Sequence, residues 1–131
     1  MNYGTSITVD LPFDEAVAAT RTALAGQGFG VLTEIDVQAT MKAKLDADVE
    51  PQLILGACNP HLAHQALQAE PDIGLLLPCN VVVRQTGQTT IVSALDPQLM
   101  VTLPDNPSLQ PVADDAAQRL RAALHTLPGT S

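Results

Sequence analysis

The sequence predicts one α+β domain: a mainly antiparallel sheet of about five strands with helices packed on it. Three observations lead there. Segments with the two-residue alternation of strands follow segments with the apolar spacing of helices along the whole chain. Two β-rich runs, Val81 to Gln85 and Thr89 to Leu95, flank "TGQ", a glycine-containing hairpin turn. The 131 residues contain no composition break that would serve as a linker, so 1–131 reads as a single domain with its core from about residue 3 to residue 125.

The first strand is expected at Tyr3 to Val9, where Ile7 and Val9 alternate with Thr8 and Asp10. Pro12 then takes the first position of a helix, with Asp14 and Glu15 in the first turn, where the positive end of the helix dipole favours carboxylates. Phe13, Val17, Thr20 and Leu24 recur at helical spacing and predict its buried stripe. "GQGFG", Gly26 to Gly30, follows a helix and opens a strand, the reverse of a phosphate-binding loop, so it reads as a helix end and turn.

"FGVLTEIDV" predicts a second strand, with Val31, Thr33 and Ile35 on one face and Leu32, Glu34 and Asp36 on the other. Asp36 is placed to cap a helix through Leu45 in which Val37, Met41 and Leu45 share a face. Gln52 to Ala57 is β-like and stops at Asn59-Pro60, an N-cap followed by a proline at the first helical position. The helix Pro60 to Ala69 should turn Leu62, Ala63, Ala66 and Leu67 inward.

"IGLLLPCNVVVRQTGQTTIVSALD" is the strongest β signal, and Pro78 within it has no N–H to give to a ladder, which predicts a bulge or an edge beside Cys79. Asp96-Pro97 reads as a strand end and turn, and the chain as loop through "LPDNPSLQP". A last helix is expected from about Pro111 to Leu124, with the stripe Val112, Ala116, Leu120, Ala123 and Leu124. Its acids Asp114 and Asp115 come early and Arg119 and Arg121 late.

Composition narrows the function. Hydrophobic residues are 46% of the chain but aromatics only 2% (Tyr3, Phe13, Phe29), which gives an aliphatic core and few surfaces for base stacking. The net charge is −8 and the six basic residues never cluster beyond pairs, so neither nucleic acid nor an anionic membrane surface is an expected partner. "MNYGTSITVDLPFDEA" lacks the pattern of a secretory signal and no apolar run is long enough to span a bilayer, so the expected location is cytoplasmic, with Cys58 and Cys79 as reduced thiols.

"GFGVLTEIDVQAT", "ILGACNPHLAHQAL", "EPDIGLLLPCNVVV" and "SALDP", in this order and over roughly Tyr3 to Leu124, resemble the family called domain of unknown function 302. The resemblance implies a single α+β domain with a curved sheet covered by helices, of bacterial or archaeal type, and it implies no activity. The fold of that family has been likened to the TATA-binding protein, but the charge of −8 opposes carrying over DNA binding.

The stretch "ILGACNPHLAH" gathers a thiol, a cap and two imidazoles. Cys58 directly precedes a helix N-terminus, where backbone N–H groups and the dipole favour a thiolate. If the strand ending at Cys58 and one starting near Gly74 are parallel neighbours joined by the intervening helix, Cys58 comes level with Cys79 or Asn80. Cys58, Asn59, Cys79 and Asn80 would then line one site for a small molecule or ion, the leading expectation. His61 and His64 share a helix face and with the two cysteines would make a set soft enough for zinc or copper, although the spacing is that of no established zinc motif.

Two other classes stay open. Cys58 as nucleophile and Cys79 as resolving thiol would make a redox or thiol-transfer enzyme. An exposed sheet surface would instead make a homodimeric interaction module. Glu34, on the same strand face as Asp36, is the candidate catalytic carboxylate, against a plainer reading of Asp36 as a cap and Glu34 as a solvated side chain. Taken singly, each cysteine is better explained as a small core hydrophobe, and His125 as a helix-end residue. The sequence indicates no particular cofactor.

Overall fold

A computed structural model describes residues 2–130. Strand β1 (Gly4–Val9) leads into helix α1 (Phe13–Gly26), strand β2 (Gly30–Asp36), helix α2 (Val37–Leu45), strand β3 (Gln52–Cys58) and helix α3 (Pro60–Ala69). A 3-10 segment, Pro71–Leu76, precedes the hairpin of β4 (Cys79–Thr86) and β5 (Thr89–Leu95). The chain closes with the short α4 (Leu99–Thr102), a 3-10 turn at Pro107–Leu109, the long α5 (Gln110–His125) and a two-residue strand β6 (Gly129–Thr130). The strands form one antiparallel sheet in the order β2-β3-β4-β5-β1-β6.

The local signals in the sequence do what their chemistry predicts. Asp36 caps α2 by accepting the Ala39 N–H at 2.9 Å, and Asn59 caps α3 by accepting the Leu62 N–H at 3.3 Å. Pro12 caps α1 from just outside rather than opening its first turn. Gly28 takes a φ of 82° after α1, a conformation that favours glycine, and so turns the chain into β2. The α5 stripe of Val112, Ala116, Leu120, Ala123 and Leu124 is buried as its spacing requires. Leu120, Ala123 and Leu124 of this stripe, together with Ala16 and Leu24 of α1, pack in one cluster with the inward residues of the sheet.

Five expectations need correcting. First, β3 and β4 pair antiparallel, with Ala57 opposite Cys79, although a helix lies between them. The α3 run carries the chain outward by ~15 Å and the following 3-10 segment spans ~12 Å, so an outward leg and a return leg nearly cancel. The next strand therefore starts beside the end of β3 instead of at its far end. Second, the apolar "IGLLL" belongs to that 3-10 segment, not to a strand, and Pro78 stands immediately before β4. It marks neither a bulge nor an edge, since β4 lies between β3 and β5.

Third, β2 carries a register shift between Val31 and Thr33. The extra residue reverses the side-chain parity. Val31, Glu34 and Asp36 consequently pair with core-facing Ala57, Leu55 and Leu53, while Thr33 and Ile35 pair with Gly56 and Ile54 of the opposite face. Fourth, Leu67 remains 43% exposed, and no side chain of α2 is buried, its Leu45 being 70% exposed. Fifth, the stretch expected to be loop after Asp96-Pro97 contains α4 and a 3-10 turn, which bury Met100 and Leu109.

Candidate functional site

The register of the central strands decides where each cysteine goes. Cys79 opens β4 opposite Ala57 on the helix-covered face and is 7% exposed. Cys58 is the last residue of β3, half-buried, one position beyond Ala57. Asn59 follows it, buried, and its capping bond fixes the angle at which α3 leaves the sheet. That angle lays Leu62, Ala63 and Ala66 over the ends of β3 and β4, and Met100 of α4 and Val112 and Ala116 of α5 close the far side.

The result is a small cavity between the two hydrophobic clusters of the molecule. One cluster joins the sheet to α1 and α5, the other joins α3, α4, α5 and the two 3-10 segments. Cys58, Asn59, Cys79, Phe29, Leu77 and Met100 are all on the cavity wall. Its free space is about 20 Å³, enough for one water-sized body and far below the size of an organic ligand. A larger concavity of about 600 Å³, between the end of β1 and the β4–β5 turn, is a wide-mouthed groove in which, among the described residues, Asp10 is the sole ionisable side chain.

Burial raises the Cys58 thiol above its ordinary value, and burial together with the neighbouring Cys58 pushes the Cys79 thiol up to about 11. Burial thus works against the lowering that a position ahead of a helix N-terminus favours. Both cysteines are free thiols.

The structure brings together only part of the predicted set. Cys58, Asn59 and Cys79 meet at the cavity. Asn80 does not: it pairs with Gly56 on the opposite face of the sheet, exposed, in a shallow depression with Tyr3, Val82 and Leu95. His61 and His64 are exposed on α3, away from the cavity wall, and no three His, Cys, Asp or Glu side chains gather as for a metal among the described residues. Glu34 forms an exposed ion pair with Arg21 of α1, and Asp36 is engaged as a cap.

Met100, Phe29 and Leu77 were not singled out by the sequence. For Met100 a signal existed: the apolar trio Leu99, Met100 and Val101 interrupts a polar, proline-rich stretch, and such an interruption marks burial.

The model of the family "Domain of unknown function DUF302" matches residues 5–127. The fold is similar to a solved structure described as "Crystal structure of uncharacterized conserved protein DUF302 from Bacillus stearothermophilus". The TM-score is 0.90 and the identity 29%, over 97% of this chain and 99% of that one. No curated protein matches the chain. Among the described residues no helix is long and apolar enough to cross a membrane. With the family model covering nearly the whole chain and the same fold in a solved relative, the chain belongs to the DUF302 family.

Proposed function

We propose that the chain is a small cytoplasmic binding module that holds a single ion, or a body of similar size, in the cavity where "GACNP" and "LPCNV" meet. The observation that supports this is the cavity itself: it joins two separately packed clusters, and Cys58, Cys79, Met100 and the helix-capping Asn59 are among the residues of an otherwise apolar wall. Its size favours an ion over a metabolite. The raised thiols speak against a thiol-transfer enzyme, which needs an accessible thiolate near neutral pH. The test is a titration of the protein with Cu(I), Ag(I), Zn(II), chloride and dissolved xenon, followed by the methyl NMR signals of Ala57, Ala63 and Ala66. A probe that shifts these methyls in the wild type and not in Ala66→Leu, which fills the space, supports the reading. Methyls that respond to none of the five sink it.

A second reading, self-association, rests on the face of the sheet turned away from α1 and α5. Ile35 is 49% exposed there, Tyr3 62%, and Ile54, Val82, Ile91 and Leu95 are half-buried beside them. We propose that two copies cover these faces mutually across a two-fold axis. Light scattering should then give twice the 13.7 kDa monomer mass, and Val82→Glu should return it to the monomer. A wild-type mass near 13.7 kDa throughout the micromolar range rejects the idea.

A further inference from the structure

We propose that the wide groove between the start of α1 and the β4–β5 turn binds an uncharged polyol of the size of a mono- or disaccharide. The groove shares no lining residue with the cavity at Cys58 and is independent of it. Among the described residues three polar side chains are buried: Thr20, Asn59 and Thr90. Thr20 donates to the Ala16 carbonyl at 2.7 Å and Asn59 accepts the Leu62 N–H, whereas Thr90, only 4% exposed, enters no side-chain hydrogen bond among the described residues. No fully buried polar side-chain atom lacks a partner there, so the Thr90 hydroxyl must reach open space, and the space it borders is the groove.

Register and turn chemistry put further groups around that hydroxyl. Thr90 lies opposite Val9 of β1 on one side and Gln85 of β4 on the other, so the three side chains share the covered face of the sheet. Gln85 is held in place, its Nε2 donating to the Gly87 carbonyl at 3.1 Å, which leaves its Oε1 as an acceptor. Asp10, just past β1, is fixed through its backbone, whose N–H donates to the Pro128 carbonyl at 2.7 Å. Pro12 and Phe13 bring the N-terminus of α1 to the same groove. No side chain caps that end, and the first bond of the helix runs from the Ala16 N–H to the Pro12 carbonyl. The N–H groups of Phe13, Asp14 and Glu15 precede it and have no acceptor within the helix.

The charges set the ligand class. Among the described residues no lysine, arginine or histidine lines the groove. Asp10 on its wall, with Asp14 and Glu15 in the first turn of α1, repels the phosphate or carboxylate that a free helix N-terminus would otherwise take. The positive end of the helix in turn disfavours a cation. A hydroxyl group suits both kinds of partner, because it accepts from a backbone N–H and donates to a carboxylate or an amide oxygen. Leu11 and Phe13 supply apolar wall for the C–H faces of a ring. The free space of about 600 Å³ lies within the ~300–1,000 Å³ of small-molecule sites.

The experiment is a titration of the full chain, followed by the amide NMR signals of Asp14, Glu15 and Thr90. The probes are glucose, N-acetylglucosamine, trehalose and myo-inositol, with gluconate and glucosamine as charged counterparts. At least one uncharged compound should shift these signals saturably at millimolar concentration, and neither charged compound should bind more tightly than it. Thr90→Val, which keeps the shape and removes the hydroxyl, should weaken that compound about tenfold while melting no earlier than wild type. Silence of all the uncharged compounds overturns the proposal, as does tighter binding of gluconate or glucosamine, or a Thr90→Val protein that binds like wild type. A lower melting temperature in Thr90→Val would place the hydroxyl in a bond within the protein and overturns the proposal as well. Asp10→Ala, at an exposed position where the fold is not at stake, should also weaken binding, and unchanged affinity there overturns the assignment.

Discussion

On one face of the sheet Leu55, Val81, Val83 and Val92 are wholly buried beneath α1 and α5, whereas on the other face of the same strands Ile54, Val82 and Ile91 stay partly open to solvent. The open face is the more polar of the two, carrying Ser6, Thr33, Asn80, Arg84 and Ser93, and it lacks the helical cover. The covered face pairs branched aliphatics with the α1 and α5 stripes, and the open face mixes apolar residues with hydrogen-bonded hydroxyls such as the Ser6–Ser93 pair at 2.7 Å. The alternation of β4 also splits a dipeptide: Cys79 enters the covered face and Asn80 the open one. Neighbours in sequence thus belong to different environments, and of the two Cys-Asn pairs only Cys79 and Asn59 are buried.

The largest test of this contrast is a pair of truncations in one strand. Leu55→Ala, fully buried, should lower stability by about 2–5 kcal/mol through lost transfer energy and a residual cavity. Ile54→Ala, one residue away, should cost clearly less, because its side chain is already partly hydrated and its surroundings are free to relax. Urea unfolding of both variants reads the difference. Equal losses would mean that something covers the open face in solution, which is what self-association requires.

Protonation offers the next largest effect. Burial on the covered face raises the Cys79 thiol from its ordinary 9.0 to about 11, so the fold holds this proton more tightly than the unfolded chain does. The associated stability is fully present below pH about 9 and is lost as pH rises toward about 11. At 1.36 kcal/mol per pKa unit the loss is roughly 2–3 kcal/mol. The Cys58 thiol, also raised, acts in the same direction. Urea midpoints of wild type and Cys79→Ala between pH 8 and 11 (roughly the window set by the two values) should converge as pH rises. A wild-type curve parallel to that of the variant would place Cys79 outside the core.

Much of the covered face was legible in the sequence, and for a physical reason. Caps act through bonds three residues apart, so Asp36 and Asn59 announce themselves locally, and the α5 stripe follows from helical periodicity. The antiparallel α+β sheet follows from the hairpin and the alternating runs. What the sequence hid is set by tertiary arrangement. The run "IGLLL" is apolar without a period that tells a strand from a 3-10 segment. The register shift in β2 inserts a residue that no local pattern marks, and it reverses the facing of Thr33 and Ile35 relative to Val31. The antiparallel pairing of β3 with β4 depends on the return path after α3, which is why Cys58, Asn59 and Cys79 meet while Asn80 does not.

Gly56 sharpens the contrast from the open side. A methyl group added at this position would run into the Thr33 hydroxyl and would approach the Pro78 ring to 2.8 Å. Both neighbours lie against the strand backbone where a side chain would otherwise be, so Gly56→Ala should cost about 1–3 kcal/mol as overpacking. Thr33→Ala, which removes the nearer obstacle, should recover part of that loss, and a double-mutant cycle over the two positions should show a favourable coupling. Strictly additive losses would show that the strand backbone, not Thr33, yields to the added methyl.

The smallest expected effect separates the two asparagines of the Cys-Asn pairs. Asn59 is buried and accepts the Leu62 N–H, one of the donors that a helix start leaves unpaired. Removing that acceptor in Asn59→Ala should cost about 1 kcal/mol, within the 0.5–2 kcal/mol range of lost N-caps. It should also speed hydrogen exchange of the Leu62 amide, because the first turn of α3 would fray. Asn80 is exposed on the open face, and Asn80→Ala should fall within about 0.5 kcal/mol of wild type, as surface changes do. The pair is informative because both residues follow a cysteine and both were placed in one site by sequence. If Asn80→Ala were the more damaging of the two, the open face would be held by a partner that the asparagine contacts, and the division of roles between the faces would be wrong. If only Asn59→Ala destabilises, the helix cap is what positions Cys58 at the cavity, and the second asparagine belongs to the sheet surface.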